Sequence, residues 1–164
     1  MGREEKIAED LKFTILPLDY SDLEEVVKIE SLSFPEPWSL AMFYHELVLP
    51  FSHFHVMRKD SQEKKKGTMV AYGGFWMVKD EAHITNLAVH PDYRSRGIGS
   101  KLLGFLLDKA KNLGAKIATL EVRTSNKIGQ RLYEKWGFRK VGVRKGYYAY
   151  AGEDAIVMEK RDLL

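Results

Sequence analysis

The stretch from Glu81 to Gly114 constrains this chain more than any other. A run of β-forming residues ends at Val89, and Pro91 prevents it from continuing as a paired strand. Arg94-Ser95-Arg96-Gly97-Ile98-Gly99 then opens a helix. Its apolar stripe, Ile98, Leu102, Leu106, Ala110 and Leu113, stops at Gly114. Lys116 to Arg123 returns to a strand pattern, completing a strand–helix–strand unit. Two more strands precede it, His53 to Arg58 and Met69 to Val78. Three strands in a row, the last of them opening that unit, predict a mixed sheet with helices on both sides, not an evenly alternating doubly wound one.

The remaining elements follow from periodicity and breakers. Phe13 to Leu16 reads as a first strand. Asp19 to Ser33 carries Leu23, Val26, Val27 and Glu30 at helical spacing, and the prolines of Ser33-Phe34-Pro35-Glu36-Pro37-Trp38-Ser39 end that helix. Ser39 caps a second short helix with Met42, Phe43 and Leu47. Ser125 to Trp136 is a helix with Ile128, Leu132 and Trp136 inward and Gly137 as its stop. Arg139 to Arg144 and Ala155 to Glu159 are closing strands. The expected order is β, α, α, β, β, β, α, β, α, β, β, in one domain over residues 1–164, with 1–11 a polar leader. Lys64-Lys65-Lys66 reads as a solvated loop tip rather than a patch for an anionic partner.

Composition narrows the class. With 45% hydrophobic and 30% charged residues the 164-residue chain reads as an ordinary globular protein, and the absence of cysteine removes disulfides, thiolate metal sites and a Cys nucleophile. A formal charge of +3 is no argument for nucleic acid. No membrane and a cytoplasmic location are expected. His53 and His55 alternate on a strand without a third ligand at a recognisable spacing, so no metal is expected.

The turn at residues 94–99 suits an anion. A helix start exposes unpaired N–H groups and the positive dipole end, and Gly97 and Gly99 allow close backbone approach. A Walker A loop is absent, and a Rossmann fingerprint would need a third glycine where Leu102 stands. The six residues instead match the R/Q-x-x-G-x-G/A signature of the GNAT N-acetyltransferase superfamily. Leu120-Glu121-Val122-Arg123-Thr124-Ser125-Asn126, Leu132-Tyr133-Glu134-Lys135-Trp136-Gly137-Phe138, Gly146-Tyr147-Tyr148 and Glu153 to Met158 closely resemble one branch of it. That branch comprises the RimI-like ribosomal-protein alanine N-acetyltransferases and archaeal protein N-terminal acetyltransferases. The likeness reaches back to Ser33–Ser39.

This resemblance implies an α/β GNAT fold: about seven strands in a mixed, splayed sheet, with about four helices on both faces. It implies acetyl-CoA as co-substrate, bound by Leu87, Ala88 and Val89, by Arg94, Ser95, Arg96, Gly97, Ile98, Gly99 and Ser100, and by Asn126 and Tyr133. It implies direct transfer to the α-amine of a peptide or protein N-terminus, a ribosomal protein among the candidates. Glu121 would be the general base and Tyr133 the general acid. Phe34, Pro35, Glu36, Trp38, Tyr147 and Tyr148 would face the peptide. Read without the resemblance, Tyr133 is a packing residue, Asn126 assists a Ser125 or Thr124 cap, and Glu121 is a strand carboxylate facing a cleft or solvent. A lysine side chain or small amine as acceptor, or a non-catalytic acyl-CoA sensor, are the alternatives. A monomer or weak dimer is expected.

Overall fold

The computed structural model describes residues 12–61, 63 and 66–163, so the leader and two of the three consecutive lysines lie outside it. Seven strands form one sheet: β1 (Phe13–Pro17), β2 (Ser52–Lys59), β3 (Met69–Val78), β4 (Glu81–Val89), β5 (Ile117–Arg123), β6 (Arg139–Tyr148) and β7 (Glu153–Lys160). Their order in space is β1-β2-β3-β4-β5-β7-β6, with β4 and β5 parallel and every other neighbour antiparallel. Four α-helices accompany it: α1 (Leu23–Ser33), α2 (Leu40–Val48), α3 (Ile98–Asn112) and α4 (Lys127–Lys135). The expected mixed sheet is present, and helices cover both of its faces.

Each face has its own core. On one side α3 buries Ile98, Leu102, Leu103, Leu106, Leu107 and Ala110 against Ala82, Ile84, Ala118, Leu120 and Val122. On the other, Leu23, Val26 and Ile29 of α1 and Phe43 of α2 pack on Phe54, Val56, Tyr72 and Ala88. Strand alternation decides which face each residue serves. In β5, Ala118, Leu120 and Val122 turn to α3, which sends Glu121 to the opposite face.

In β4 the alternation is interrupted. Gly74 pairs with Asn86 but Phe75 pairs with Ile84, leaving Thr85 as an extra residue. A one-residue bulge flips every side chain beyond it. Ala82 and Ile84 therefore face α3, whereas after the bulge Leu87 and Val89 take that role and Ala88 turns to the α1–α2 core. The β4–β5 ladder ends at the same place: it runs from Glu81–Ile117 to Ile84–Leu120 and no further. Beyond Ile84 and Leu120 the parallel strands part.

Three expectations need correction. Ile128 is 80% exposed, because α4 packs only through Leu132, Tyr133 and Trp136. β6 does not end at Arg144 but runs on to Tyr148 through a register shift, so Tyr147 and Tyr148 belong to the strand. Asn126 is itself the α4 cap, accepting from the Gly129 N–H at 2.9 Å.

A buried ion cluster ties α1 to the sheet. Arg58 donates to Asp22 Oδ1 at 2.7 Å and to both oxygens of Glu25, at 2.8 and 3.1 Å. Removing one partner of a buried pair strands the other charge. Arg58→Ala should therefore lower the unfolding free energy by about 3–5 kcal/mol, read as a drop in urea midpoint at unchanged slope.

Candidate active site

Where β4 and β5 part, a cleft of about 120 Å³ opens between them. Its walls come from five parts of the chain: Glu30 of α1 with Phe34, Glu36 and Trp38 of the following loop, Ile84 to Leu87 of β4, Leu120 to Arg123 of β5, Asn126 and Tyr133 around α4, and Tyr148 of β6. Of the residues singled out in the sequence, Glu121, Tyr133, Asn126, Leu87, Phe34, Glu36, Trp38 and Tyr148 meet in this one cleft. Pro35 and Tyr147 do not line it, and Tyr147 is about half exposed beside Tyr148. Ala88 packs into the α1–α2 core.

Glu121 reaches the cleft with its side chain only 10% exposed. Its Oε2 meets His83 Nε2 at 2.5 Å, and its Oε1 lies 3.4 Å from an Arg144 guanidinium nitrogen. The hydrogen bond to His83, helped by the charge of Arg144, holds the carboxyl below its ordinary pKa despite burial. Glu121 is therefore ionised at neutral pH. Tyr133 also packs edge-on against Phe138. Burial pushes its hydroxyl well above the usual tyrosine value, so it carries its proton. The cleft thus holds an ionised acceptor and a protonated donor.

The turn before α3 follows directly from β4. Gly97 is left-handed at φ +78° with open space where a Cβ would stand. It caps α3 with no side chain, leaving the first-turn N–H groups of the helix without a side-chain acceptor. Those groups can hold a phosphate. The arginines beside them are partly committed. Arg94 Nε–H donates to the Val89 carbonyl at 2.9 Å and a second nitrogen donates to Ser33 Oγ at 3.0 Å, while Arg96 stacks over Tyr93. Ser100 Oγ accepts from Trp136 Nε1–H at 2.9 Å, joining α3 to α4. A Cβ at Gly129 would stand 2.7–3.0 Å from the Asn126 amide, so the cap alone accounts for a glycine inside this helix.

Four site residues escaped the sequence reading. Arg123 lies 3.8 Å over the Tyr148 ring and pairs with Glu153 at 3.4 Å and Glu36 at 4.0 Å. His83 and Arg144 flank Glu121, and no local pattern announces either. Glu30 did leave a signal: a carboxylate on the apolar stripe of α1. It is 2% exposed, accepts from the Trp38 N–H at 3.2 Å and from the Tyr72 hydroxyl, and desolvation pushes its carboxyl up to about 7. Burial also presses His55 down to about 4, where it packs edge-on to Phe105. No group of three potential metal ligands occurs among the described residues, and no helix among them is long and apolar enough to cross a membrane.

An ionised carboxylate and a protonated hydroxyl in a cleft between parted parallel strands, with a helix start that follows β4 outside the cleft lining, suit transfer of a group from an anionic carrier. The family model of the acetyltransferase (GNAT) family matches residues 23–138. The chain belongs to that family. A Bacillus subtilis relative of this GNAT chain is 39% identical, across 90% of this chain and 94% of its own length. The [ribosomal protein bS18]-alanine N-acetyltransferase of Escherichia coli K12 is 35% identical, across 88% and 95%. The crystal structure of the Escherichia coli ribosomal-protein-S18-alanine N-acetyltransferase superposes with a TM-score of 0.78 at 34% identity, covering 91% of this chain and 93% of that one. This acetyltransferase is thus RimI-like over nearly its whole described length.

The raised carboxyl of Glu30 has a measurable thermodynamic consequence. The folded chain keeps that proton up to about pH 7, whereas the unfolded chain releases it near 4.5. Folding therefore loses stability as pH rises through that window. Glu30→Gln should be stabilising at pH 8 relative to its effect at pH 5, by up to about 3 kcal/mol. Urea titrations of both proteins at the two pH values measure it.

Proposed function

We propose that this GNAT enzyme transfers the acetyl group of acetyl-CoA to the N-terminal α-amine of a protein, with alanine-first chains the substrates to try first. The observation that carries this reading is the meeting of an ionised Glu121 and a protonated Tyr133 across one cleft at the parting of β4 and β5. The names of its RimI-like relatives support the α-amine of an alanine as acceptor.

The chemistry follows from those two groups. An α-amine has a reference pKa near 8 and arrives mostly protonated at neutral pH. It must lose a proton before its nitrogen attacks the thioester carbonyl. Glu121 is the acceptor, acting with His83 as one hydrogen-bonded pair. The carbonyl oxygen gains negative charge as the nitrogen approaches. The edge of β4 beyond Ile84, which has no pairing with β5, offers backbone N–H groups to that oxygen. The C–S bond then breaks, and the leaving CoA thiolate takes the Tyr133 proton. Arg94 to Ser100 bind the phosphates through the α3 amides, and Asn126 and Leu87 flank the arm between. Transfer is direct, without an acyl-enzyme. Phe34, Glu36, Trp38 and Tyr148 bound the peptide side.

Turnover is measured as CoA release with peptides that differ in the first residue, each with a free or a blocked α-amine. The reading expects turnover only with the free α-amine. Glu121→Gln and Tyr133→Phe should each lower kcat by about 10²–10⁴-fold with the acetyl-CoA KM little changed. Turnover of α-blocked, lysine-bearing peptides would move the acceptor to side chains, and binding without turnover on any amine would defeat the catalytic assignment.

A further inference from the structure

The carboxylates around the cleft differ in what offsets their charge. Glu121 has His83 and Arg144. Glu36 and Glu153 share Arg123, and Glu153 also accepts from the Ser125 N–H at 2.8 Å. Glu30, the most deeply buried of them, meets only neutral donors: the Trp38 backbone N–H, the Tyr72 hydroxyl and the Asn86 amide. No ion pair to it occurs among the described residues. A buried carboxylate without a cation is costly to ionise. Such a group on the wall of a cleft suits a cationic ligand.

A second, independent feature points to the same place. Asn86 follows the Thr85 bulge, lines the cleft and is 6% exposed, yet its Oδ1 has no hydrogen-bond partner among the described residues. A buried acceptor left unpaired costs about 1–3 kcal/mol unless a ligand satisfies it. An acceptor atom and an uncompensated carboxylate on one wall together ask for a cationic donor. The α-ammonium of a peptide is both a cation and a triple donor.

We propose that Glu30, with Asn86 Oδ1 beside it, receives the charged α-ammonium of the incoming peptide. This rests on the α-amine reading above and adds a binding step before deprotonation. Glu30 then acts on selection and Glu121 on chemistry. An ammonium is drawn to the carboxylate whose charge is least offset, and Glu121 already has a cationic neighbour. Glu30 would thereby reject an acceptor whose amine is neutral or replaced.

The test compares binding of an alanine-first peptide with that of its des-amino analogue, in which the α-amine is replaced by hydrogen, by calorimetry in the presence of CoA. Wild type at about pH 7.5 should bind the free-amine peptide about tenfold or more tightly than the analogue. The titratable or charged groups that share the cleft wall with Glu30 are Glu36, Tyr72, Glu121, Arg123, Tyr133 and Tyr148. Glu121 is held low, and Tyr133 and Tyr148 are held high by burial, so these three keep their charge states down to pH 5.5. Glu30 takes up its proton as pH falls through about 7, while the amine stays charged. The preference should therefore fade by pH 5.5, and Glu30→Gln should lack it at both pH values with CoA affinity unchanged. A preference that persists at pH 5.5 would assign the ammonium to Glu121 and overturn the proposal. So would a Glu30→Gln variant that retains the preference, or one that loses CoA affinity in parallel, which marks a structural role. The pH series on wild type decides the matter even if the variant does not fold. Acetylation of the free-amine peptide by wild type reports separately on the α-amine reading. Turnover of the free-amine peptide together with no binding preference over the des-amino analogue would sink this inference alone.

Discussion

The ladder between β4 and β5 stops after Ile84 and Leu120, and most of what this protein can do depends on that interruption. Two parallel strands in the middle of a sheet ordinarily satisfy each other along their whole length. Here the extra residue Thr85 turns the far half of β4 over and ends the pairing. The backbone edges that are left form a gap inside an otherwise continuous sheet, with a hydrophobic core on each face to hold it open. A group reaching that gap meets fixed amides on one side and the side chains of β5 on the other. Fixed dipoles of this kind need no reorganisation when charge develops between them.

The polar chemistry of the gap rests on which charges are offset and which are not. His83 and Arg144 keep Glu121 ionised against the pull of burial. Arg123 draws the loop after α1 towards β6 and β7 by pairing with Glu36 and Glu153 while covering Tyr148, and the Ala151 N–H donates to Glu36 Oε1 at 2.9 Å across the same span. Glu30 alone is left to neutral donors. A low-dielectric cleft magnifies these differences, since both the attraction between partners and the penalty for an unpaired group grow as water is excluded. The three carboxylates that line the cleft, Glu30, Glu36 and Glu121, thus have three different electrostatic situations, set by neighbours from four strands.

Much of the architecture was legible in the sequence because it is periodic. The stripe from Ile98 to Ala110, the alternation in β2 to β5 and the stops at Gly114 and Gly137 are local signals, and the elements they predict are all present. What was not legible depends on partners far apart in the chain. Nothing around Thr85 announces a bulge, and nothing around His83 announces that it meets a residue 38 positions later. Ile128 fitted a helical stripe but α4 is too shallowly docked to bury it. The strand after α4 was expected to end at Arg144, whereas a register shift carries β6 on to Tyr148. Glu121, Tyr133 and Asn126 were found through the family likeness. Their spacing alone read Tyr133 as packing, Asn126 as a helper of the helix cap and Glu121 as a strand carboxylate, and Asn126 does serve as a cap.

The central claim is that the gap between β4 and β5 is where carrier and acceptor meet. A crystal structure of the protein with a conjugate joining CoA through an acetyl bridge to the α-nitrogen of an alanine-first peptide tests it most directly. The account predicts the diphosphate against the amides of Gly97 to Ser100, the bridging carbonyl oxygen on the β4 edge beyond Ile84, the sulfur beside the Tyr133 hydroxyl and the peptide leaving past Phe34 and Tyr148. A conjugate whose bridge lies away from the β4–β5 gap, or whose sulfur is remote from Tyr133, would contradict it.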